Sequence, residues 1–335
     1  MPKNTSEPLS SRMALVVGAG RSGTSFLTKI LDASPEVLYR HEPDISRPNS
    51  RIPYTPSAAD IERYRDEARS YFAALTRQSD ERASGSRPVF RKAFRSTLGN
   101  AMMPGWVYGA KALGKAGIIF HVPDMIARKE PPFVVIKSVS ATMRAPIFAN
   151  ALPNLKIIHI VRHPCAVLAS LIRGRAAGKM TGEVFLEALF AIPEAHDYGL
   201  TYDELAKASY GEQQAFRWMI RNDFARRHLH GNPNYTFVSY EKLCCEPQAE
   251  AERLCAFLGL PMDEQIRDYI RLNTDAPATT DASYFSLIRN TLSALSKWES
   301  QISAEDAAAI TRIVERSDLG RETIAEYQIQ RARLD

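Results

Sequence analysis

The 335-residue sequence contains no uninterrupted apolar stretch of roughly 18 residues, the least that a membrane-spanning helix needs. An integral membrane segment is therefore not expected. Residues 1–12 form a polar tail with Pro2 and Pro8 and lack the apolar segment of a secretory signal. Cysteine is sparse, and Cys165, Cys244, Cys245 and Cys255 form no C-x-x-C pair. That argues against a disulfide scaffold or a zinc site and favours a reduced, cytoplasmic chain. Charge of one sign is also scarce. Lys+Arg number 43 against 38 Asp+Glu, with no dense basic run. A nucleic-acid partner is not expected, while the mild positive balance favours small anionic ligands. The sequence has no internal repeat and no low-complexity tract.

A 45% hydrophobic and 24% charged composition is enough to bury a sizeable core. Residues 13–25 read Met-Ala-Leu-Val-Val-Gly-Ala-Gly-Arg-Ser-Gly-Thr-Ser: a short apolar strand, a glycine-rich turn and a helix start. Gly18 and Gly23 have the spacing of a nucleoside triphosphate P-loop, but Thr24 stands where its lysine belongs. The positive charge sits instead at Arg21. Gly20 and Gly23 let the backbone approach an anion, and the helix N-terminus supplies N–H donors. Ser22, Thr24 and Ser25 add hydroxyls, and Arg21 adds a planar fork. The turn is built for a phosphate-like anion other than the triphosphate of ATP or GTP.

Further strands are predicted at 37–39, 133–136, 155–161 and 235–239. Helical patterns cover about 59–78, 142–150, 247–258, 304–317 and 319–332, and 181–230 is helix-rich. Strands alternating with helices imply an α/β fold, three layers around a central parallel sheet. Ligands then bind beyond the carboxyl ends of the strands. Arg21, Glu42, Lys137 and Arg162 each closely follow or end a strand, so one rim should collect them. Residues 44–130 read as an insertion. Within it Arg87, Arg91, Lys92, Arg95, Lys111 and Lys115 interleave with aromatics, either as part of an acceptor site or as a solvated face. The segment Val161-Arg162-His163-Pro164-Cys165-Ala166-Val167-Leu168-Ala169-Ser170 places an arginine at a strand end and a serine eight residues on, able to grip one phosphate from two sides. No Asp ends this strand, so a Walker-B-like magnesium ligand is missing there.

Together the two segments resemble the phosphosulfate-binding elements of sulfotransferases that use 3′-phosphoadenosine 5′-phosphosulfate (PAPS), especially the carbohydrate enzymes. Tyr240-Glu241-Lys242-Leu243 and the stretch from Ile288 through Lys297-Trp298 are similar to further segments of that family. The resemblance implies a P-loop-like sulfotransferase domain over 13–335, with helical insertions. It implies that Gly20 and Arg21 to Ser25 hold the 5′-phosphosulfate, that Arg162 and Ser170 hold the 3′-phosphate, and that Arg289 and Asn290 lie near the cofactor. Lys137 resembles the lysine of the cytosolic enzymes' Ile-Lys-Thr-His segment and, with Arg21, would steady the leaving phosphate. Ser138 and Val139 replace Thr-His, so the usual cytosolic base is absent. Glu42 in His41-Glu42-Pro43 resembles the glutamate of the glycan enzymes, and His41 is a rival base. The implied reaction moves a sulfuryl group to a hydroxyl of a carbohydrate, glycolipid or other small acceptor. It leaves 3′-phosphoadenosine 5′-phosphate (PAP) and requires no metal. A P-loop kinase and a non-catalytic nucleotide-binding module remain as alternatives.

Overall fold

The computed structural model describes residues 12–178, 184–274, 292 and 295–333. Five strands form one sheet: β1 (Met13–Val17), β2 (Val37–His41), β3 (Phe133–Lys137), β4 (Lys156–Val161) and β5 (Tyr235–Ser239). Their order is β2-β3-β1-β4-β5, and every pairing is parallel. Leu15 of β1 lies opposite Ile136 on one side and Ile157 on the other.

All of β1 is buried, which explains its unbroken apolar run. Its side chains alternate between two cores. Ala14 and Val16 pack in a cluster with Leu27, Leu254 and Ile266, while Met13, Leu15 and Val17 pack in another with Phe72 and Phe148. The helices around the sheet include α1 (Thr24–Asp32), α2 (Arg65–Thr76), α3 (Thr97–Lys115), α4 (Ala145–Ala151), α5 (Pro164–Ala176), α6 (Tyr210–Leu229), α7 (Tyr240–Cys245), α8 (Pro247–Leu258), α9 (Glu264–Thr274), α10 (Ala304–Val314) and α11 (Asp318–Ala332), of which α1, α2, α4, α8 and α9 supply the side chains just named. A third cluster joins Val161 to α5, α6 and α10 through Leu168, Trp218 and Ile310. The result is the expected helix–sheet–helix layering.

Most boundaries agree with the sequence pattern, and two differ for local reasons. The helix expected from 142 begins at Ala145, because the Thr142 hydroxyl is used to accept the Gly18 N–H at 3.2 Å. The helix expected to 317 stops at Val314, because the Ser317 hydroxyl caps α11 by accepting the Gly320 N–H at 3.0 Å.

Residues 44–130 lie between β2 and β3 and are fastened to the sheet by buried charges. Arg40 of β2 forms a two-pronged bond to Asp124, at 2.8 and 2.6 Å. Asp44 accepts the Ser138 hydroxyl at 2.7 Å. Lys92 is buried against Asp32 at the end of α1, 2.8 Å away. For Lys92 this replaces both readings of the basic stretch: it is neither a solvated face nor an acceptor contact. Its neighbour Arg95 donates to the Asp124 carbonyl at 2.9 Å, another structural use.

Candidate active site

The sheet order puts β1 at the centre, and the chain passes from its β3 side to its β4 side. The rim at the carboxyl ends of β1, β3 and β4 is the crevice where such a sheet binds ligands. The turn after β1 cannot carry larger residues at its two outer glycines. A Cβ at Gly18 would lie 2.3 Å from the Ile160 carbonyl oxygen. At Gly23 it would lie 2.1 Å from the Tyr240 ring, and Gly23 also has φ +86°. Gly20 is different: nothing lies within 4 Å of where its Cβ would be. Arg21 adopts the left-handed region with φ 73°. A non-glycine residue in that region is strained, and such strain is held where surrounding structure enforces it.

Arg21 reaches across the rim. Its Nε donates to the Ser170 hydroxyl of α5 at 2.9 Å. Arg162, after β4, donates from Nη1 to the Arg21 carbonyl at 3.3 Å. The glycine-rich turn and the arginine–serine segment are therefore contiguous. Tyr240 braces both: its ring fills the space over Gly23, and the Arg162 guanidinium lies 4.3 Å from its centroid. Glu241 is fully buried and accepts the His163 N–H at 2.9 Å, fixing the turn between β4 and α5. Burial raises the Glu241 carboxyl's pKa, although the His163 N–H and the Arg162 charge oppose this. Trp298 stacks on His163 with centroids 4.7 Å apart. Arg289 and Asn290 lie outside the described residues.

On the other flank, residue pairing puts His41 opposite Lys137. The Glu42 N–H donates to the Lys137 carbonyl at 2.8 Å, and Glu42 takes φ 47°. Its carboxylate then accepts from Lys137 Nζ at 2.6 Å, both side chains being largely buried. Burial raises the Glu42 pKa, but the Lys137 ammonium, with smaller contributions from His41 and Arg82, opposes it, and the net effect holds the group below the ordinary carboxylate value. His41 Nε2 lies 3.8 Å from the other Glu42 oxygen. Burial, reinforced by the Lys137 charge, lowers the His41 pKa to about 4. The ring is neutral at pH 7.

A hydrogen-bond chain behind His41 selects its tautomer. Thr28 donates to the Thr24 carbonyl at 2.8 Å, which uses its one proton. Tyr39 must then donate to Thr28, 3.1 Å away, and His41 Nδ1–H to Tyr39 at 2.8 Å. Full pairing leaves the lone pair on Nε2, the nitrogen nearer Glu42.

The structure thus brings Gly20, Arg21, Ser22, Gly23, Thr24 and Ser25 to the same rim as Arg162 and Ser170, with Glu42, Lys137 and His41 alongside. The roles of Thr28, Tyr39, Tyr240 and Glu241 were not read from sequence. Only the last two had a signal, a Tyr-Glu pair directly after the strand at 235–239.

A parallel sheet with a glycine-rich phosphate turn after its central strand, and no lysine in that turn, defines a P-loop-like α/β protein outside the triphosphate type. The model of the sulfotransferase family matches residues 14–264, and the chain belongs to that family. It is 25% identical over 326 residues to rat carbohydrate sulfotransferase 1, covering 88% of this chain and 75% of the relative. It is 29% identical over 154 residues to mouse carbohydrate sulfotransferase 3, covering 46% and 30%. Among solved structures, a mouse sulfotransferase crystallised with PAP aligns with a TM-score of 0.46 and 13% identity, over 95% of this chain and 89% of that one. No helix of the described residues is long and apolar enough to cross a membrane.

Proposed function

We propose that this chain transfers a sulfuryl group from PAPS to a hydroxyl of a carbohydrate acceptor, free or on a glycolipid. Family membership supports the reaction, and the carbohydrate sulfotransferases among its relatives support the acceptor class. The observation that carries the site assignment is the Arg21–Ser170 bond, which joins the two anion-binding elements into one cradle. The residues fit a doubly phosphorylated nucleotide. Gly20 leaves the loop open, and the Ser22 hydroxyl is fully buried with no partner among the described residues. When bound, PAPS supplies the activated sulfuryl group and a good leaving phosphate.

The chain's own residues do the rest. Gly20 and Arg21 to Ser25 orient the 5′ end, while Arg162 and Ser170 hold the 3′-phosphate. Lys137 and Arg21 neutralise charge on the leaving oxygen. Glu42 takes the acceptor proton, with His41 Nε2 as the rival site. Lys137 donates to Glu42 in this structure, and turning toward the leaving oxygen would release the carboxylate and raise its basicity. Arg289 and Asn290 would complete the nucleotide site. The domain spans 13–335, and within the insertion at 44–130 Tyr54 and Thr55 border the cavity beside the glycine turn. Four cysteines in no disulfide, two of them adjacent, suit a reducing, cytoplasmic setting.

Titration with PAP and with adenosine 5′-phosphate tests the cradle. Arg162→Ala should weaken PAP at least tenfold more than the monophosphate. Equal losses would remove Arg162 from the 3′ end. Transfer of label from radioactive PAPS to a glycan then identifies the acceptor.

A further inference from the structure

A cavity of about 560 Å³ opens beside the glycine turn, lined by Gly20, Tyr54, Leu171, Arg217, Trp218 and Arg221 among others. It is largely apolar, as a small-molecule site should be, yet two arginines border it from successive turns of α6. Arg221 donates from Nη2 to the Val139 carbonyl at 2.7 Å. Val139 stands two residues beyond Lys137, so this guanidinium is fixed close in sequence to the proposed chemistry. No Asp or Glu is among the described lining residues. Burial and the neighbouring Arg217 charge both act against the charged form of Arg221, lowering its pKa to about 9. Between them sits Trp218, 3% exposed, whose indole N–H is buried and has no partner among the described residues. A buried indole N–H normally finds an acceptor. Like charges a turn apart destabilise one another. An anion in the cavity would relieve that repulsion and accept the indole proton.

We propose that the cavity takes an acceptor that already carries an anionic group, a carboxylate or a sulfate ester, held by Arg217, Arg221 and the Trp218 N–H while a hydroxyl of the same molecule faces the Lys137 rim. Guanidinium forks match the paired oxygens of either group. The proposal deepens the sulfotransferase reading and rests on it for the position of the reacting hydroxyl.

Calorimetric titration distinguishes the two. The probes are methyl β-D-glucoside, methyl β-D-glucuronide and methyl β-D-glucoside 6-sulfate, each added with and without saturating PAP. At least one anionic sugar should bind tenfold or more tightly than the neutral one, and the better of the two names the group. Arg221→Gln and Arg217→Gln should each bring that ratio toward one while PAP affinity stays within about twofold. Equal binding of neutral and anionic sugars by the unaltered protein would overturn the proposal, as would a preference that survives in both variants. Failure of PAP to bind would count against the nucleotide reading alone, because the anion preference is still measured without it.

Discussion

Two lysine–carboxylate groups flank the first βαβ unit, and they differ in how many donors are spent. Lys92 gives its ammonium to the Asp32 carboxylate, to the Asp32 carbonyl and to the Ser34 carbonyl, so three acceptors match three donors. Lys29 adds a second cation to the same carboxylate at 2.7 Å and also donates to the Pro88 carbonyl. Lys137 is as well buried, at 5% side-chain exposure, but its bond among the described residues is to Glu42. Residue type and burial do not separate the two groups. Saturation does: the Asp32 cluster is closed and holds the insertion to α1, whereas Lys137 keeps donor capacity at the ligand-binding rim.

The largest expected effect sharpens that contrast on the open side. Glu42→Gln keeps the shape of the side chain and its bond to Lys137 but removes the basic oxygen. With PAP affinity unchanged, kcat should fall by about 10²–10⁴, the usual contribution of a positioned base. His41→Asn serves as the matched control and should cost far less. The reverse order would move the base to His41 Nε2, the nitrogen that the Thr28–Tyr39 chain leaves with its lone pair.

The closed side should respond in stability. Lys92→Met leaves Asp32 buried with one cation instead of two and strips the Ser34 carbonyl of its donor. Removing one partner from a buried ion cluster costs about 3–5 kcal/mol. Urea unfolding of Lys92→Met should show a loss of that size with turnover per folded molecule kept, while Lys137→Met, which leaves the buried Glu42 without its paired cation, should lose stability too and, unlike Lys92→Met, most of its turnover. Similar turnover losses for both would erase the distinction.

The same contrast explains what the sequence made legible. The glycine turn, the arginine–serine segment and the strand-end Glu42 and Lys137 were readable because each sits at a fixed step from an apolar strand. Parallel topology converts those steps into one rim. Lys92 was misread because its meaning depends on Asp32, which is distant in sequence and carries no motif. Arg217 and Arg221 lie in the stretch read only as helix-rich and carry no motif, since nothing in a helical period says that a cavity faces them. Tyr240 was visible as part of a segment, but its contact with Gly23 exists only in three dimensions. That contact explains why the glycine is required more fully than a turn preference would.

The smallest effect tests the electrostatics of the open side. His41 is held at about pKa 4 by burial and by Lys137, against an ordinary value near 6.5. Its folded pKa is depressed, so below pH 6.5 the unfolded chain binds more protons. Stability must therefore fall as pH drops from 6.5 toward 4, by about 1 kcal/mol per pH unit for this group. His159, fully buried and also near 4, and His163, near 3, act in the same direction. Asp32 and Glu42 contribute little between pH 6.5 and 5.5. Their pKa values are lowered, so their stabilisation is complete above the unfolded carboxylate range and is lost only at lower pH. Unfolding measured at pH 6.5, 6.0 and 5.5 thus follows the histidines with little contribution from either ion cluster, and the raised Glu241 carboxyl is common to the unaltered protein and the variant. The His228 pKa is lowered as well, and His41→Asn should make the slope shallower by up to about 1 kcal/mol per pH unit, the contribution of this one group. An unchanged slope would mean that His41 ionises freely in the folded protein, and the neutral ring beside Lys137 would have to be abandoned.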